Sequence, residues 1–417
     1  MSIDSRWDIL VLGAGAAGLM AAIRAAELGK RVLLLEKNRK PGVKILMSGG
    51  TRCNITHDCD NRGIVAAYGK QGRFLHSALA AFSVADTLAF FHAEGVGTKV
   101  EETGKVFPVS DRAVDVLNAL LQRLERSGAV LAREHSVQDL YRDAEGWGVV
   151  TNAGRYTAPR VIVTTGGQSY PGCGTRGDGY AWLAALGHTI TPRHPALVPI
   201  TVHADWVAEL RGITLEDVSL RIMDGDKSLA SRRSSLLFAH FGLTGPAALD
   251  PSRAIVLHPN PTSLQLEFDF LPHVPEPTVD AFLRDESLNS GKKQLAVVLA
   301  QQMTRRMADT LVALSGQAVD RKAAGLSKGD RGKLTQAIKR LRIPITGTMG
   351  FEKAEVTTGG VALDEVDSRT LESKKQPGLY LAGEILDVDG PIGGYNFQAA
   401  WSTGYLAGTK AAISMDA

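Results

Sequence analysis

The sequence predicts an α/β protein in which a nucleotide-binding domain, formed by both ends of the chain, is interrupted by an insert. A strand pattern, a glycine-rich turn, a helix pattern and a second strand pattern follow one another over residues 8–36. A similar apolar strand ending in glycine and an acid returns at 378–384. Between about 192 and 344 this alternation stops. We therefore predict a nucleotide-binding domain made of 1–191 and 345–417, with an insert at 192–344.

The insert changes its own pattern once. Short runs separated by turns, such as 219–230 and 263–270, predict a β subdomain over 192–275. From Thr278 onward, apolar residues recur at intervals of three and four, notably over 295–314 and 333–342. This spacing is typical of amphipathic helices and predicts a helical subdomain over 276–344.

The first strand, turn and helix form a complete βαβ unit of the Rossmann type. Gly13 permits a tight turn, Gly15 allows the backbone to approach a pyrophosphate, and Gly18 allows the helix to pack on the strand. Glu36 ends the second strand, where a carboxylate can accept hydrogen bonds from ribose hydroxyls and would repel a 2′-phosphate. The unit predicts FAD or NAD rather than NADP. The alternative is a structural turn that binds no ligand.

Composition and charge exclude several classes of protein. The 417 residues are 44% hydrophobic and 22% charged, which excludes a disordered or fibrous chain. Three cysteines with no C-x-x-C pair exclude a disulfide framework and favour a reducing compartment. The N-terminus has no basic region before its first apolar run, and the uncharged stretch 9–23 is too short to span a bilayer. We expect a cytoplasmic protein that binds no membrane.

Three further segments favour a flavin. The run 48–51, Ser-Gly-Gly-Thr, predicts flexible backbone whose N–H groups can reach an anion or a flavin edge; the alternative is a solvated basic loop. The β-branched strand 160–167 ends in two glycines. The turn at Gly393 and Gly394 leads into a helix, whose first N–H groups can face a flavin carbonyl. The Asp-Val-Asp-Gly run at 387–390 lacks the later ligands of a calcium loop, so we predict no metal site.

These motifs, taken together, resemble a known family. GAGAAG with Glu36 is followed in order by KILMSGGTRCN (44–54), GKVFPVS (104–110), VTTGGQSYPGCGTRGDGY (163–180), PALVPI (195–200), FGLTGPA (241–247), AEVTTGGV (354–361) and LYLAGEILDVDGPIGGYNFQAAWSTG (379–404). The chain resembles the BaiN/RdsA-type NAD(P)/FAD-dependent flavoproteins, which also include aminoacetone oxidase-like enzymes. The resemblance covers essentially the whole chain. One departure is Thr51, where the pattern more often has glycine.

The resemblance implies a Rossmann-like FAD-binding domain of the glutathione-reductase type that binds one FAD. It places the ADP half at Gly13, Gly15, Ala16, Ala17, Gly18, Glu36 and Lys37, and the adenine beside Val137. The path from the pyrophosphate to the flavin is implied to include Lys44, Ser48, Gly49, Arg52, Cys53, Asn54, Thr165, Gly166, Gly383, Glu384 and Asp387. The isoalloxazine is implied to lie near Gly393, Gly394, Tyr395, Asn396 and Phe397.

The resemblance also implies a reaction. Family members reduce a carbon–carbon double bond conjugated to a carbonyl, in bile-acid enones or in a uridine of large-subunit (23S) ribosomal RNA. A second G-x-G-x-x-G turn for a nicotinamide, directly between a strand and a helix, is missing, so NAD(P)H would bind transiently by another route or electrons would come from elsewhere. For the acid that protonates the substrate we consider Cys53 first and Tyr170 second, with His57, His194 and His240 as further candidates. A packed thiol, a half-buried aromatic ring and structural histidines are the alternatives.

One charged segment leaves the substrate class open. Residues 292–342 contain 12 lysines or arginines and three aspartates, a net charge of +9 in a chain whose total is +3. This segment is either a solvated helical face or a surface for ribosomal RNA. We therefore consider three functions: a reductase of a uracil ring in RNA, a small-molecule reductase or oxidase, and a flavin-bearing binding protein without turnover. The sequence does not predict an oligomeric state.

Overall fold

The structure, a computed structural model, describes residues 6–144 and 146–415. These residues form two compact units, one of residues up to 195 and from 355 onward, and the other of residues 196–354. We call the first the nucleotide-binding unit and the second the insert unit. The boundary predicted after residue 344 falls inside a strand, Leu341–Thr348, whose Pro344 is paired with Gln265. Proline is tolerated in a strand where no ladder hydrogen bond has to be donated, so Pro344 does not end the insert.

The strands are numbered in chain order. They are β1 (Ile9–Leu12), β2 (Val32–Glu36), β3 (Thr56–His57), β4 (Thr98–Val100), β5 (Lys105–Pro108), β6 (Val130–Arg133), β7 (Val137–Asp143), β8 (Gly146–Thr151), β9 (Gly154–Ala158), β10 (Arg160–Val163), β11 (His194–Ala196), β12 (Ile200–Val202), β13 (Thr214–Asp224), β14 (Lys227–Ala239), β15 (Gly242–Thr244), β16 (Gln265–Asp269), β17 (Leu341–Thr348), β18 (Val356–Thr358) and β19 (Leu379–Leu381).

The helices are numbered in the same way. They are α1 (Ala16–Glu27), α2 (Val43–Thr51), α3 (Asn61–Ala67), α4 (His76–Ala81), α5 (Val84–Ala93), α6 (Ala113–Ser127), α7 (Asp178–Ala185), α8 (Asp205–Glu209), α9 (Pro246–Leu249), α10 (Ser252–Val256), α11 (Glu276–Asn289), α12 (Leu295–Leu299), α13 (Arg305–Leu314), α14 (Lys328–Lys339) and α15 (Tyr395–Ile413). Short 3₁₀ turns lie at Gln71–Leu75, Pro171–Cys173, Pro261–Ser263, Phe351–Lys353, Leu363–Glu365 and Gly383–Ile385.

A five-stranded parallel sheet forms the centre of the nucleotide-binding unit. Its strand order is β19-β10-β1-β2-β6. All four residues of β1 are fully buried, as expected of a strand covered on both faces. The strand from the C-terminal part of the chain, β19, completes the sheet begun by the N-terminal part. The predicted Rossmann-like α/β fold with an insert is therefore confirmed.

Small residues bring two helices of this unit into close contact. A Cβ at Gly404 of α15 would lie 2.3 Å from the carbonyl oxygen of Ala17, and one at Gly408 would lie 2.4 Å from that of Ala21. Larger side chains would therefore separate α15 from α1. Because α15 begins at the predicted flavin segment, this packing positions that segment relative to the glycine-rich turn.

The insert unit is built on a closed antiparallel barrel. The strand order is β12-β15-β14-β13-β16-β17, and β17 pairs back with β12. Helices α11 to α14 follow β16 in the chain. The helical pattern over 295–314 is interrupted, because α12 ends at Leu299 and α13 begins after the extended residue Thr304. Apolar spacing continues across this break, so periodicity alone did not reveal it.

In the described part of the chain, no single helix has the length and apolar composition needed to cross a membrane. One bent pair, Gln71–Ala81 with Val84–Ala93, meets that test by length and composition only.

Candidate dinucleotide site

Glycine is needed at each of the three positions of the first turn for a different structural reason. Gly13 has a φ of +99°, and a Cβ there would lie 2.9 Å from the carbonyl oxygen of Thr164. A Cβ at Gly18 would lie 1.9 Å from the carbonyl oxygen of Gly13, so only glycine lets α1 start this close to β1. At Gly15, no atom of the described residues lies within 4 Å of an added Cβ. Gly15 therefore borders open space at the N-terminus of α1, where a phosphate group is favoured.

Glu36 is held in place by the backbone around the turn. Its carboxylate accepts hydrogen bonds from the N–H of Ala14 at 2.9 Å and from the N–H of Asn38 at 2.8 Å. The residue is 7% exposed. Each carboxylate oxygen can accept a second hydrogen bond, so Glu36 remains able to bind ribose hydroxyls. The N–H of His135 donates to the carbonyl of Glu36, which brings the chain leading into Val137 beside the end of β2.

A polar network joins three of the predicted segments. The ammonium group of Lys44 donates to Ser169 Oγ at 2.6 Å and to Glu384 Oε2 at 2.9 Å. Ser169 Oγ lies 2.9 Å from the other carboxylate oxygen of Glu384, which also accepts the N–H of Thr357 at 2.8 Å. These side chains come from α2, from the loop after β10 and from the turn after β19. The network places one cation and one carboxylate at the carboxyl end of the sheet, where ligands bind in open α/β folds.

The Ser-Gly-Gly-Thr run, predicted to have flexible backbone, directly follows the helical part of α2. Residues 43–47 are the helical part of α2, and the backbone leaves helical geometry at Ser48, Gly49 and Gly50. Positive φ angles follow at Gly49 (56°), Gly50 (67°) and Thr51 (70°). A threonine in this conformation costs about 1 kcal/mol, because its Cβ meets the backbone. Thr51 is therefore a strained position where glycine would be relaxed.

The segment 393–397 lies against the chain that follows α2. With its amide oriented so that both polar atoms are satisfied, Asn54 accepts the Gly394 N–H at 2.9 Å and donates to the Thr56 carbonyl at 2.9 Å. The Gly394 N–H, expected to face a flavin, is thus bound by Asn54. The ring of Tyr395 stacks on His57 with centroids 4.5 Å apart. This clamp fixes the start of α15.

The remaining predicted residues are spread around this clamp. Gly383 has a φ of +77°, and a Cβ there would lie 2.9 Å from that of Ala17, which places it at the start of α1. Asp387 accepts hydrogen bonds from Gln71 Nε2 at 3.0 Å and from Thr191 Oγ1 at 3.1 Å. Further partners of predicted residues are as follows: Lys37 pairs with Asp178, Arg52 with Glu101 and Asp111, Phe397 stacks on Trp401, and Asn396 binds Gly390.

The two candidate acids have different surroundings. Cys53 has no exposed surface, and burial raises the pKa of its thiol to about 12. These features favour a packed side chain over a proton donor. Tyr170 is half-buried, has a φ of +56° and lies next to Ser169 of the polar network. Of the three histidines, His57 contacts the predicted flavin segment, whereas His240 packs on Phe241 in the insert unit and His194 begins β11.

Sequence reasoning missed several residues of the site. Ser169 lies inside the motif 163–180 and Thr357 inside 354–361, so their motifs were noticed but their roles were not. Asn38, whose amide donates to the carbonyl of Cys173 at 3.0 Å, directly follows the predicted Lys37. Gln71 and Thr191 contact Asp387 from parts of the chain with no motif at all. Only tertiary structure brings these two to the site.

The residues present fit FAD. Gly15 faces open space where a pyrophosphate would lie, and the hydroxyl of Thr165 is buried with no hydrogen-bond partner among the described residues. Glu36 can bind the ribose, and Lys44 can neutralise a phosphate charge. Nowhere in residues 6–144 and 146–415 do three or more histidine, cysteine, aspartate or glutamate side chains form a group that could hold a metal ion.

The fold occurs in solved structures of flavoenzymes. A 3-ketosteroid Δ1-dehydrogenase from Sterolibacterium denitrificans aligns with a TM-score of 0.55 and 15% identity, covering 99% of this chain and 100% of that one. A flavocytochrome c3 fumarate reductase aligns with a TM-score of 0.50 and 17% identity, covering 98% and 78%. At these identities the likeness shows the fold alone.

Sequence relatives cover nearly the whole chain. It is 33% identical over 400 residues to the ribosomal RNA dihydrouridine synthase of Escherichia coli (strain K12), covering 96% of each protein. It is also 33% identical over 411 residues to the 3-dehydro-bile acid delta(4,6)-reductase of Clostridium scindens, covering 96% of this chain and 98% of that protein. The family model described as the HI0933-like protein Rossmann domain matches residues 7–410. The chain thus belongs to the HI0933-like Rossmann family, a family of FAD-dependent oxidoreductases.

Proposed function

We propose that this chain uses FAD and NAD(P)H to reduce a carbon–carbon double bond conjugated to a carbonyl, and that its substrate is a uridine of 23S ribosomal RNA. One observation carries the reaction type. The two relatives of equal identity are named for different substrates, yet saturating the uracil ring and reducing a bile-acid enone are the same chemistry. A hydride adds to the β carbon and a proton adds to the α carbon.

The residues of this chain would divide the work as follows. Gly15 and Glu36 bind the dinucleotide, and Lys44 holds negative charge beside Ser169. Bound and reduced, FAD supplies the hydride. The proton comes from the chain, and we assign it to the half-buried Tyr170 because Cys53 has no exposed surface.

Five exposed lysines support RNA as the substrate. The ammonium groups of five lysines make no ion pair or hydrogen bond with any described residue: Lys292, Lys293, Lys322, Lys328 and Lys333. Backbone hydrogen bonds join the chain at 293 to the chain at 323, so Lys292, Lys293 and Lys322 form one patch. We call these three the lysine patch. Adjacent unpaired cations on a surface suit a phosphate backbone.

A reaction with RNA tests the proposal. The purified protein with its flavin, NADH or NADPH, and ribosomal RNA lacking dihydrouridine are incubated together, and nucleosides are measured by mass spectrometry. We expect a stoichiometric gain of dihydrouridine at one site, and at least a tenfold lower rate for Tyr170→Phe with flavin content unchanged. Cys53→Ala should retain most of the activity. No dihydrouridine, with the flavin still reduced by the nucleotide, would exclude RNA as the substrate.

The lysine patch has its own test. The triple variant Lys292→Gln, Lys293→Gln and Lys322→Gln should bind single-stranded ribosomal RNA with a salt slope smaller by about 2, since each phosphate contact contributes about 0.7. The control is Arg62→Gln, at an exposed arginine of the nucleotide-binding unit. An unchanged salt slope in the triple variant would show that the patch does not touch RNA.

A small-molecule enone is the second candidate. Six of the 12 cations in 292–342 form ion pairs within the insert unit, so half of the cations are neutralised there rather than presented to a partner. Oxidation of NAD(P)H on addition of a steroid or bile-acid enone, with no reaction on RNA, would establish this candidate. Failure of NADH and NADPH to reduce the flavin would instead favour a binding protein without turnover.

A further inference from the structure

A groove of about 520 Å³ lies in the nucleotide-binding unit, next to the site described above, and the two share Gln71. One wall is the 3₁₀ turn with Lys70 before it, residues 70–74, and the other is the hairpin 363–374, closed by a bridge between Val366 and Ser373. Volumes of this size accommodate small organic ligands. The groove is therefore large enough for a nucleotide.

The cations of the two walls differ in their partners. On the hairpin, Arg369 forms two hydrogen bonds with Asp367, at 2.9 and 3.2 Å, and Lys374 donates to the carbonyl of Asp364 at 2.8 Å. On the opposite wall, Lys70 and Arg73 are exposed, and their side chains form no hydrogen bond or ion pair with any described residue. These two cations are available to a ligand.

Lys70 and Arg73 project from the same side of the turn. They are three residues apart, and in a 3₁₀ turn residues i and i+3 lie one above the other. Lys70 itself has helical φ and ψ angles, −63° and −37°. A pair of unneutralised cations at this spacing suits a group with two negative charges, such as a phosphate monoester.

Apolar residues and a hydrogen bond complete the groove. Phe74, Leu363 and Val366 line it alongside the charged groups, which gives a flat base an apolar surface. Gln71, between the two cations, donates from its amide nitrogen to the backbone and side chain of Asp387, at 2.8 and 3.0 Å. The turn that carries the cations is thereby tied to the chain that follows β19, which carries predicted flavin contacts.

We propose that this groove binds the adenosine end of the nicotinamide donor and that Lys70 and Arg73 hold a 2′-phosphate, so that NADPH is preferred to NADH. This inference rests on the proposed function, because it assigns a place to the donor that the reaction requires. The donor needs such a place, since in the described part of the chain only the turn at 13–18 joins a strand directly to a helix in a βαβ unit, and Glu36 in that unit repels a 2′-phosphate.

Binding of an unreactive probe separates this inference from the proposed function. The flavin-loaded protein is titrated calorimetrically with 2′,5′-ADP, 5′-AMP and inorganic phosphate. We expect 2′,5′-ADP to bind at least tenfold more tightly than 5′-AMP. Lys70→Ala and Arg73→Ala should each weaken 2′,5′-ADP binding about tenfold, the loss expected for one hydrogen bond to a charged group. Neither measurement requires a substrate or turnover.

The control variant is Arg62→Ala, which removes an exposed arginine of α3 that does not line the groove. It should bind 2′,5′-ADP as the parent protein does. In steady-state reduction of the flavin, Arg73→Ala should raise KM for NADPH about tenfold and leave kcat unchanged, because the contact is remote from the reacting carbon.

Two results would overturn the inference. Equal binding of 2′,5′-ADP and 5′-AMP, or unchanged binding in both groove variants, would show that no 2′-phosphate is held there. Competition of 2′,5′-ADP by a ribosomal RNA fragment, with RNA affinity lost in both variants, would assign the groove to RNA instead. If 2′,5′-ADP binds as expected but no enone or uridine is reduced, the proposed function fails while the nucleotide site stands.

Discussion

The nucleotide-binding unit and the insert unit are stabilised around their functional surfaces in different ways. The first contains 33 of the 44 glycines, and several of them allow backbone contacts that a Cβ would prevent. The second contains the densest run of cations in the chain, and half of these are neutralised by its own carboxylates. The predicted cofactor site thus depends on positions that have no side chain. The net charge that a surface presents, in contrast, cannot be counted from the sequence until its ion pairs are known.

The largest effect is expected in the insert unit, on replacing Lys339 with alanine. Its side chain is 8% exposed, and its ammonium group lies 2.8 Å from Asp269 and donates to the carbonyls of Leu271 and Val274 at 2.7 Å each. Losing it leaves a carboxylate and two carbonyls without their partner, which costs about 3–5 kcal/mol. Urea unfolding monitored for the insert unit measures this loss.

Lys333→Ala is the matched control for Lys339. This lysine lies on the exposed face of the same helix, α14, and its loss should change the free energy of unfolding by less than about 0.5 kcal/mol. If both variants lower the free energy of unfolding equally, the buried ion pair of Lys339 does not stabilise the insert unit.

The next largest effect is expected at Gly18. An alanine Cβ would lie 1.9 Å from the Gly13 carbonyl and 2.5 Å from Thr164 Oγ1, so α1 would have to shift away from β1. We expect a loss of about 2–3 kcal/mol and a protein purified without flavin. Thermal unfolding of the flavin-free protein and absorbance at the flavin band measure the two effects. A stable, yellow Gly18→Ala variant would contradict the close packing.

A smaller effect is expected at Glu365, which tests whether a charged group also stabilises the nucleotide-binding unit. Burial alone would raise the pKa of Glu365, but hydrogen bonds from Lys375 and Thr189 outweigh it and lower the pKa to about 2. Since this folded pKa is below that of an unfolded glutamate, the stabilisation is full above about pH 5 and is lost as the pH falls toward 2. Glu365→Gln should therefore destabilise the protein at pH 7 by about 2 kcal/mol, after allowance for solvent screening, and by about half as much at pH 3.

The pH dependence of Glu365→Gln is measured by denaturant unfolding at several pH values. Glu102→Gln, at an exposed glutamate of the same unit, should follow the parent protein throughout. If the Glu365→Gln curve runs parallel to that of the parent protein between pH 3 and 7, the carboxylate does not stabilise the fold through its charge.

The smallest effect on stability is expected at Gly15, where the effect on binding is large. Its φ of −82° suits alanine, and an added Cβ meets no atom of the described residues within 4 Å. Gly15→Ala should change the free energy of unfolding by less than about 0.5 kcal/mol and still lower the flavin content, because the methyl group occupies the space beside the helix N-terminus. Full flavin occupancy in this variant would place the pyrophosphate elsewhere.

The sequence predictions were correct where the structure depends on residues close together in the chain, and less complete elsewhere. The βαβ unit was predicted correctly because its strand, turn and helix are local and their glycines have steric causes that act within a few residues. The helix over 295–314 was predicted without its break, since apolar spacing is the same on both sides of Thr304. The boundary at 344 was wrong because a proline was taken as the end of the insert.

By itself, the sequence determined the fold class, the glycine-rich turn and the position of Glu36, because each depends on residue types at fixed local spacing. Only the tertiary structure decided which charges and polar groups meet. It joined Lys44, Ser169 and Glu384, whose positions in the chain are far apart, and it paired Arg331 with Asp280 and Arg342 with Glu267. It also left Lys70 and Arg73 facing a groove without partners among the described residues. Ion pairs and hydrogen bonds act over a few ångströms in space, so separation along the chain does not reveal them.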